Sequence, residues 1–515
     1  MSRAYDLVVI GGGVNGAGIA RDAAGRGLRV LLVEAGDLAT ATSSASSKLI
    51  HGGLRYLRYG EFSLVREALA ERRRLLCHAP HIVWPQRILL PAGERGSPPA
   101  FLLRAGLFLY DHLAPHEPLP ASRRLRREPE AAAFLKKPAK RLFAYWDGAT
   151  HDARLVVLIA RDAAEHGAEI RLHTRFLEAH RRADCWDVVI ESQGRRETVS
   201  SRVLVNATGP WVDAINRRIF PVSPRRASGH LTLVQGSHIV VPRLYPGDDG
   251  FLLPQPDGRI VFVLPFGRRH HLVGTTETAF SGDPGTARPR AEEISYLLAA
   301  LARHFARPPG EEDIRHAFAG VRPLYDPKAR SMTAASRHYV LDLEAEHPTG
   351  PALLVVYGGK LTSFRALAEK AVDQLAGRLP RIGPAWTADA PLPGGEGLSG
   401  PSGFRAFLEE LAHRFPFLAP EERWRLAHAY GTRLVSEVLA GVSSRADLGA
   451  DFGHGLTARE LDHLIGREWV TAADDVLWRR SLLGLSFTPA ERERLEQAIA
   501  SRRAQASSQE ASAPA

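Results

Sequence analysis

The sequence predicts an α/β protein with three parts: a Rossmann-like dinucleotide-binding domain, a mixed-sheet second domain interleaved with it, and a C-terminal α-helical domain. Three observations predict this. Residues 5–34 read strand, glycine turn, helix, strand, and end on an acid. Residues 230–280 read as a series of short strands. After Pro391-Leu-Pro-Gly-Gly395 the pattern becomes helical, with capping signals at Thr457-Ala-Arg-Glu460 and Thr488-Pro-Ala-Glu491. A chain of 515 residues is also too long for a single core.

The first unit is the most informative. Asp6-Leu-Val-Val-Ile10 is an apolar strand that runs into Gly11-Gly-Gly-Val-Asn-Gly16. Gly11 permits the tight turn, Gly13 lets a pyrophosphate approach the backbone, and Gly16 lets helix and strand pack closely. Asn15 lies in the same turn. The helix that follows, Ala17 to Gly25, carries small residues toward the sheet and turns its N-terminus to the phosphate charge. Leu28 to Val33 is the second strand, and it ends at Glu34, where an acid takes ribose hydroxyls. An acid there, rather than arginine, indicates FAD or NAD and not NADP.

Further along, residues 61–79 form an amphipathic helix, and 85–145 read as irregular with several prolines. Asp152 caps a helix that runs through His166 and stops at Gly167. Strands follow at 169–173, 186–192 and 202–207, then the short strands of 230–280, a helix at 291–305, and a strand at 352–357 that meets Gly358-Gly359 and a helix at 363–376. Residues 503–515 are small and polar and are expected to be disordered.

Three further motifs choose FAD. Asn206-Ala-Thr-Gly209 follows a strand and returns to the same cofactor. Tyr357-Gly-Gly-Lys-Leu-Thr362 is a strand-to-helix turn in which Gly358 and Gly359 admit a ligand to the backbone, with Leu361 and Thr362 beside it. Ala41-Thr-Ser-Ser-Ala-Ser-Ser-Lys48 lies just past Glu34, so the hydroxyls of Thr42, Ser43 and Ser44 are placed to bond phosphate or flavin atoms. His51, Arg55 and Tyr56 enter the same neighbourhood, a set that suits a small anion.

Composition narrows the classes. Only Cys77 and Cys185 occur, which excludes a cysteine-ligated iron–sulfur cluster, a cysteine-rich zinc site and a disulfide framework; no metal is expected, and a reducing compartment is. The net charge is +10 and arginine-rich, but no nucleic-acid-binding motif accompanies it. Neither a signal peptide nor an apolar run near the ~20 residues of a bilayer span is present, so a cytoplasmic protein is expected. Phe101-Leu-Leu-Arg-Ala-Gly-Leu-Phe-Leu-Tyr110, with Arg87, Arg95 and Arg123 to Arg127, is either a helix packed on its own core or a segment lying on a membrane surface.

From Tyr5 to Tyr56 the chain closely resembles the aerobic, quinone-linked FAD-dependent glycerol-3-phosphate dehydrogenases of bacteria, within the D-amino-acid-oxidase-like flavoproteins. Further matches are Val205-Asn-Ala-Thr-Gly-Pro-Trp211, Gly236-Ser-His-Ile-Val-Val-Pro242, Val273-Gly-Thr-Thr276, Gly320-Val-Arg-Pro-Leu324, Glu468-Trp469 and Leu477-Trp-Arg-Arg480, so the likeness covers about residues 4–500. The resemblance implies oxidation of glycerol 3-phosphate to dihydroxyacetone phosphate, electron transfer to a quinone, a peripheral place on the inner face of the cytoplasmic membrane, and a homodimer. Its substrate positions map onto His51, Arg55, Tyr56, Thr276, Arg322 and Lys360, with His238 added from its own motif. His51, Arg322 and Lys360 form the catalytic set. His51 is favoured as the base and Arg322 as the group stabilising the alkoxide; Arg55, Tyr56 and Lys360 face the phosphate. One departure stands out: after Gly-Thr-Thr the family usually has Asp, and this chain has Glu277.

The expected division is 1–85, 145–225 and 325–385 for FAD, 86–144 and 226–324 for substrate, and 386–502 for the helical domain. The rivals are a soluble FAD oxidase of glycerol 3-phosphate or of an amine, the anaerobic dehydrogenase subunit, which the cysteine shortage disfavours, and a flavin redox sensor that binds nucleic acid.

Overall fold

The strand Ala4–Ile10 sits at the centre of a nine-stranded sheet, between Val30–Val33 and Arg195–Asn206, parallel to both. The structure, a computed structural model, describes residues 4–93, 98–126, 129–138, 141–220, 231–325, 338–347, 350–379 and 381–512. Near its C-terminal end Arg195–Asn206 pairs in parallel with Ala352–Tyr357, and Val30–Val33 pairs with Glu169–Arg171. The registers place Ile10 opposite both Val33 and Asn206, and Asn206 opposite Val355. Three strands therefore end together, and the turns after them (Gly11, Glu34 and Ala207–Gly209, with Gly358 close by) lie along one edge. In an open α/β sheet that edge is where ligands bind.

The first helix, Val14–Gly25, packs against Asp152–Glu165 and Phe364–Leu375. Its small residues allow this: a Cβ on Gly18 would come 3.0 Å from the Phe364 ring. A core of Leu7, Val9, Ile19, Ala23, Leu354 and Leu367 lies between these helices and the sheet.

A second sheet of ten strands stands beside the first. Its long members are Val83–Ala92, Arg141–Thr150, Leu231–Pro242 and His316–Tyr325, and the helix Ala291–His304 covers it. Two expectations change here. Residues 85–145 are not irregular: they hold two ten-residue antiparallel partner strands and the helix Ala100–His112. Pro85 and Pro91 obscured the first strand, though each has a strand partner, Gly148 and Leu142. Leu49–Ile50 and residues 145–150 also pair within this sheet, so it reaches past the expected boundaries at 85 and 145.

The C-terminal part is helical, as its caps suggest. Gly400–Arg414, Pro420–Tyr430, Ala458–Glu468 and Pro489–Ser512 enclose a core of Phe404, Leu411, Leu426, Leu461, Leu464 and Leu495. Thr488 and Glu491 form a reciprocal capping box. At Thr457 only half of one forms, because the Glu460 carboxylate instead accepts from Arg425 and Tyr430. The last helix runs to Ser512, so most of the expected disordered tail is helical; 513–515 lie outside the described residues.

Candidate active site between the two sheets

A cavity of about 1170 Å³ opens between the sheets, and the glycine turns form one wall of it. Gly11 has φ +109°, and a Cβ there would come 2.8 Å from the Ala207 carbonyl oxygen. A Cβ on Gly16 would overlap the Gly11 carbonyl; Gly16 stays out of the wall and packs helix to strand instead. Gly359 has φ +99°, and a Cβ there would come 2.5 Å from Asn15 Nδ2. Asn15 Nδ2 donates to the Gly358 carbonyl at 3.0 Å, while its Oδ1 is buried with no partner among the described residues. A dinucleotide fits this wall. The glycines leave the backbone bare, the first helix presents its N-terminus, and a buried acceptor faces the cleft without a donor.

Glu34 reaches the cavity with its carboxylate held by the backbone N–H groups of Gly12 (2.6 Å) and Gly36 (2.9 Å). Burial raises its pKa. Ser43 Oγ accepts from the Val14 N–H at 3.0 Å, and Thr42 Oγ1 donates to the Val321 carbonyl at 2.7 Å. Both residues line the cavity. Ser44 does not: its hydroxyl turns back to the Ala41 carbonyl, closing a local turn. Asp152 anchors this loop by accepting from the Ser46 N–H and hydroxyl and from Lys48. Its expected capping role is thus largely replaced by a tertiary one. Gly209, Gly358, Leu361 and Thr362 complete the wall, and Thr362 Oγ1 accepts from the His51 N–H at 3.1 Å.

At the other end of the cavity stand His51, Arg55, Tyr56, Glu277, Arg322 and Lys360. Lys360 Nζ lies 4.0 Å from the centre of the Tyr56 ring, a cation–π contact. Arg322 Nη2 donates to Thr275 Oγ1 at 3.2 Å. Burial lowers the His51 pKa; Asp147 opposes that shift, and Lys360, Arg72 and Arg322 add to it. The imidazole is therefore neutral at pH 7 and has a nitrogen lone pair to offer.

Two assigned substrate contacts are not in the wall. Thr276 is 1% exposed; its hydroxyl donates to Glu293 at 2.6 Å and accepts from the Ser237 N–H at 2.9 Å. Its neighbour Thr275 faces the cavity instead. His238 is also buried, bonded to Ser47 at 2.9 Å and stacked on Phe318. Burial lowers its pKa to about 3, so it supports the loop from behind. For His238 the strand pleat decides, since alternate side chains leave the cleft; Thr276 lies in the loop after the strand His270–Gly274 and is held inward by Glu293 and the Ser237 N–H, and motif membership reveals neither.

Sequence reasoning missed Glu293 and Asp147. Glu293 accepts from Gln235, Ser237, Thr276 and Thr278 and so sets the loop that carries Thr275 and Glu277. Asp147 accepts from Arg72 and Tyr110, and the Tyr110 hydroxyl accepts from the Gly52 N–H beside His51. A lone acid in a helix or strand carries no sequence signal for either task.

The matches of the C-terminal motifs also acquire a structural basis. Glu468 pairs with Arg154, and Arg480 and Arg479 reach Asp37, three residues past Glu34. The helical domain is thus fastened to the cofactor fold.

Residues 6–373 match the family of FAD dependent oxidoreductases, and 385–510 match the C-terminal domain of alpha-glycerophosphate oxidase. The chain belongs to the FAD dependent oxidoreductase family, and its cofactor is FAD. Within that family it is 49% identical to a glycerol-3-phosphate dehydrogenase of Pseudomonas aeruginosa, over 97% of this chain and 96% of that one. It is 45% identical to the aerobic glycerol-3-phosphate dehydrogenase of Escherichia coli over 96% of each, and 43% identical to a D-erythritol 1-phosphate dehydrogenase of Brucella abortus over 95% and 96%. Among solved structures, the glycerol-3-phosphate dehydrogenase of Bacillus halodurans complexed with FAD superposes with a TM-score of 0.70, at 26% identity over 97% of this chain and 94% of that one.

Proposed function

We propose that this enzyme oxidises sn-glycerol 3-phosphate to dihydroxyacetone phosphate and passes the electrons to a membrane quinone, in glycerol catabolism. The observation that carries the reading is that Arg55, Arg322 and Lys360 gather with neutral His51 in the cavity whose other wall is the glycine cradle. Arg55, Tyr56 and Lys360 hold the phosphate, for which guanidinium and ammonium groups are the natural partners. A His51 ring nitrogen takes the proton of the C2 hydroxyl, and Arg322 donates to the oxygen as negative charge builds on it. FAD, when bound, supplies the hydride acceptor. The names of the P. aeruginosa and E. coli relatives support the substrate.

The test is the anaerobic spectrum of the holoenzyme. Glycerol 3-phosphate bleaches the flavin, and absence of bleaching sinks the reading. The Brucella relative favours a second substrate, D-erythritol 1-phosphate, and the same assay ranks the two. Stoichiometric hydrogen peroxide in air would instead mark the oxidase that the C-terminal match admits.

Membrane contact has its own support. On the helix Ala100–His112, Leu103, Leu107 and Tyr110 are buried, while Phe101 (75%) and Phe108 (59%) are exposed along with Leu102 and Leu109. Tyr59, at the end of the segment Leu54–Tyr59 that contacts this helix, is exposed as well, and so is Phe62 three residues on. The helix thus has both a core face and a bare apolar face, and large bare apolar areas mark interaction sites. Arg95 and Arg127 lie outside the described residues. Among the described residues no helix is long and apolar enough to cross a membrane. Sedimentation with anionic vesicles pellets the wild type and not Phe101→Ser/Phe108→Ser; equal pelleting of the two removes this face from the interface. The homodimer belongs to the same proposal.

A further inference from the structure

The chain at His51 is held from two sides. The His51 N–H donates to Thr362 Oγ1 at 3.1 Å, and the same hydroxyl donates back to the His51 carbonyl at 3.3 Å. Thr362 belongs to the cofactor wall. On the other side the Gly52 N–H donates to the Tyr110 hydroxyl at 2.8 Å. Tyr110 is 1% exposed, on the core face of the helix Ala100–His112, and packs with Phe143 and Tyr145 of the second sheet. Tyr110 is itself fixed. Its hydroxyl donates to Asp147 Oδ1 at 2.7 Å, and Asp147 also accepts from Arg72 Nη1 at 2.5 Å. Arg72 and Asp147 are at most 3% exposed. Burial and the Asp147 charge push the Tyr110 hydroxyl well above its ordinary pKa, so it keeps its proton. That proton points to Asp147, which leaves an oxygen lone pair for the Gly52 N–H. At the joint there is no room for a side chain: a Cβ on Gly52 would come 2.5 Å from Leu69 and 2.9 Å from the Tyr110 ring.

We propose that Tyr110 is a positioning residue for the proton-accepting step: through the Gly52 N–H it fixes where the His51 imidazole stands against the substrate's C2 hydroxyl. This rests on the proposed role of His51 as the base and deepens it. A buried N–H left without an acceptor costs free energy, so without the Tyr110 hydroxyl the segment shifts to find one, and His51 shifts with it. Proton transfer needs the two heavy atoms within about 3 Å, so a small displacement of the ring slows the reaction without weakening binding. Arg55 and Tyr56 are held separately, by a turn in which the Tyr56 N–H donates to the Gly53 carbonyl at 2.9 Å. Their hold on the phosphate therefore survives loss of the Gly52 contact. Asp147 acts one step further back, by fixing which way the Tyr110 hydroxyl points.

The experiment is a double-mutant cycle on anaerobic flavin reduction by glycerol 3-phosphate, in the holoenzymes of wild type, Tyr110→Phe, His51→Ala and the double variant. At saturating substrate Tyr110→Phe reduces its flavin about tenfold more slowly, while the half-saturating concentration changes by less than about threefold. His51→Ala alone slows reduction by about a hundredfold or more. In the His51→Ala background Tyr110→Phe costs less than about twofold, because the group it positions is gone. A tenfold loss that persists in that background makes Tyr110 merely structural and overturns the inference. Asp147→Asn keeps the side-chain volume and an acceptor for the Tyr110 hydroxyl. Its loss is smaller, about threefold, and likewise disappears without His51. Should Tyr110→Phe fail to retain FAD, Asp147→Asn carries the same cycle, and a loss that persists there overturns the inference in the same way. If His51→Ala is as fast as wild type, His51 is not the base, and the role of Tyr110 falls with it. If His51→Ala is slow and Tyr110→Phe is not, the role of Tyr110 alone is lost.

Discussion

Arginine is used in opposite ways at the domain junction and in the cavity. At the junction Arg154 and Arg480 are buried and closed off. Arg154 forks onto both oxygens of Glu468, and Arg480 Nη2 donates to Asp37 at 2.8 Å and to the Glu468 carbonyl at 2.7 Å. These side chains are at most 1% exposed. In the cavity, Arg55 and Arg322 lie 3.5 and 3.6 Å from Glu277, and both line the open space. A guanidinium with its donors occupied in a dry place fastens two bodies; one that lines a cleft can also meet a ligand. Because the residue type is the same in both places, the difference lies in burial and in how close the acid comes.

The sharpest way to break this contrast is Glu468→Ala. It leaves the buried Arg154 charge without its partner and is expected to cost about 3–5 kcal/mol in urea unfolding. A loss below about 1 kcal/mol would mean that the junction pair fastens nothing. Arg55→Ala tests the other side. KM for glycerol 3-phosphate is expected to rise about a hundredfold, roughly 2.7 kcal/mol, with FAD retained and stability within about 0.5 kcal/mol of wild type. An unchanged KM would remove Arg55 from the anion site.

A smaller effect sharpens the junction further. His428 is buried there, with Nδ1 on the His81 carbonyl at 2.6 Å, and burial lowers its pKa to about 3. The unfolded chain binds this proton below about pH 6.5 and the folded chain does not, so stability rises with pH between about 3 and 6.5 and is lost on acidification. Between pH 6.5 and 5 this histidine accounts for about 2 kcal/mol. His428→Gln therefore flattens the stability–pH slope by about one proton; an unaltered slope would show that His428 is protonated in the folded state. His51 follows the same sign in activity. Because its pKa is lowered, kcat/KM is expected to stay flat through pH 7 and to fall only below the ordinary histidine range.

Much of the site was legible because its chemistry is local. The Gly11 turn, Glu34, the Asn206-to-Gly209 turn and Gly358-Gly359 each follow a strand within a few residues, and such turns need particular residue types at particular spacings. The Pro391 shift and the Thr488 cap marked the helical domain for the same reason. His238 failed as a cavity residue because facing in or out depends on the pleat of a strand whose partners lie far away in the chain, and Thr276 because Glu293 and the Ser237 N–H, both distant in sequence, hold its hydroxyl inward. Val83–Ala92 was hidden because its pairing with Arg141–Thr150 spans a gap that no local pattern records.

By itself, then, the sequence determined the dinucleotide cradle, the choice of FAD, the cation-rich character of the substrate end and the existence of a helical C-terminal domain. These follow from steric demands of short turns and from charge, which composition and spacing carry directly. Only the tertiary structure decided that Glu277 stands between Arg55 and Arg322, that Glu293 and Asp152 set the loops, and that Glu468 and Arg480 bind the helical domain to the cofactor fold. Each of these is a contact between residues distant in sequence, and whether a charge there is a fastener or a waiting ligand group depends on burial and distance, which exist only once the chain has folded.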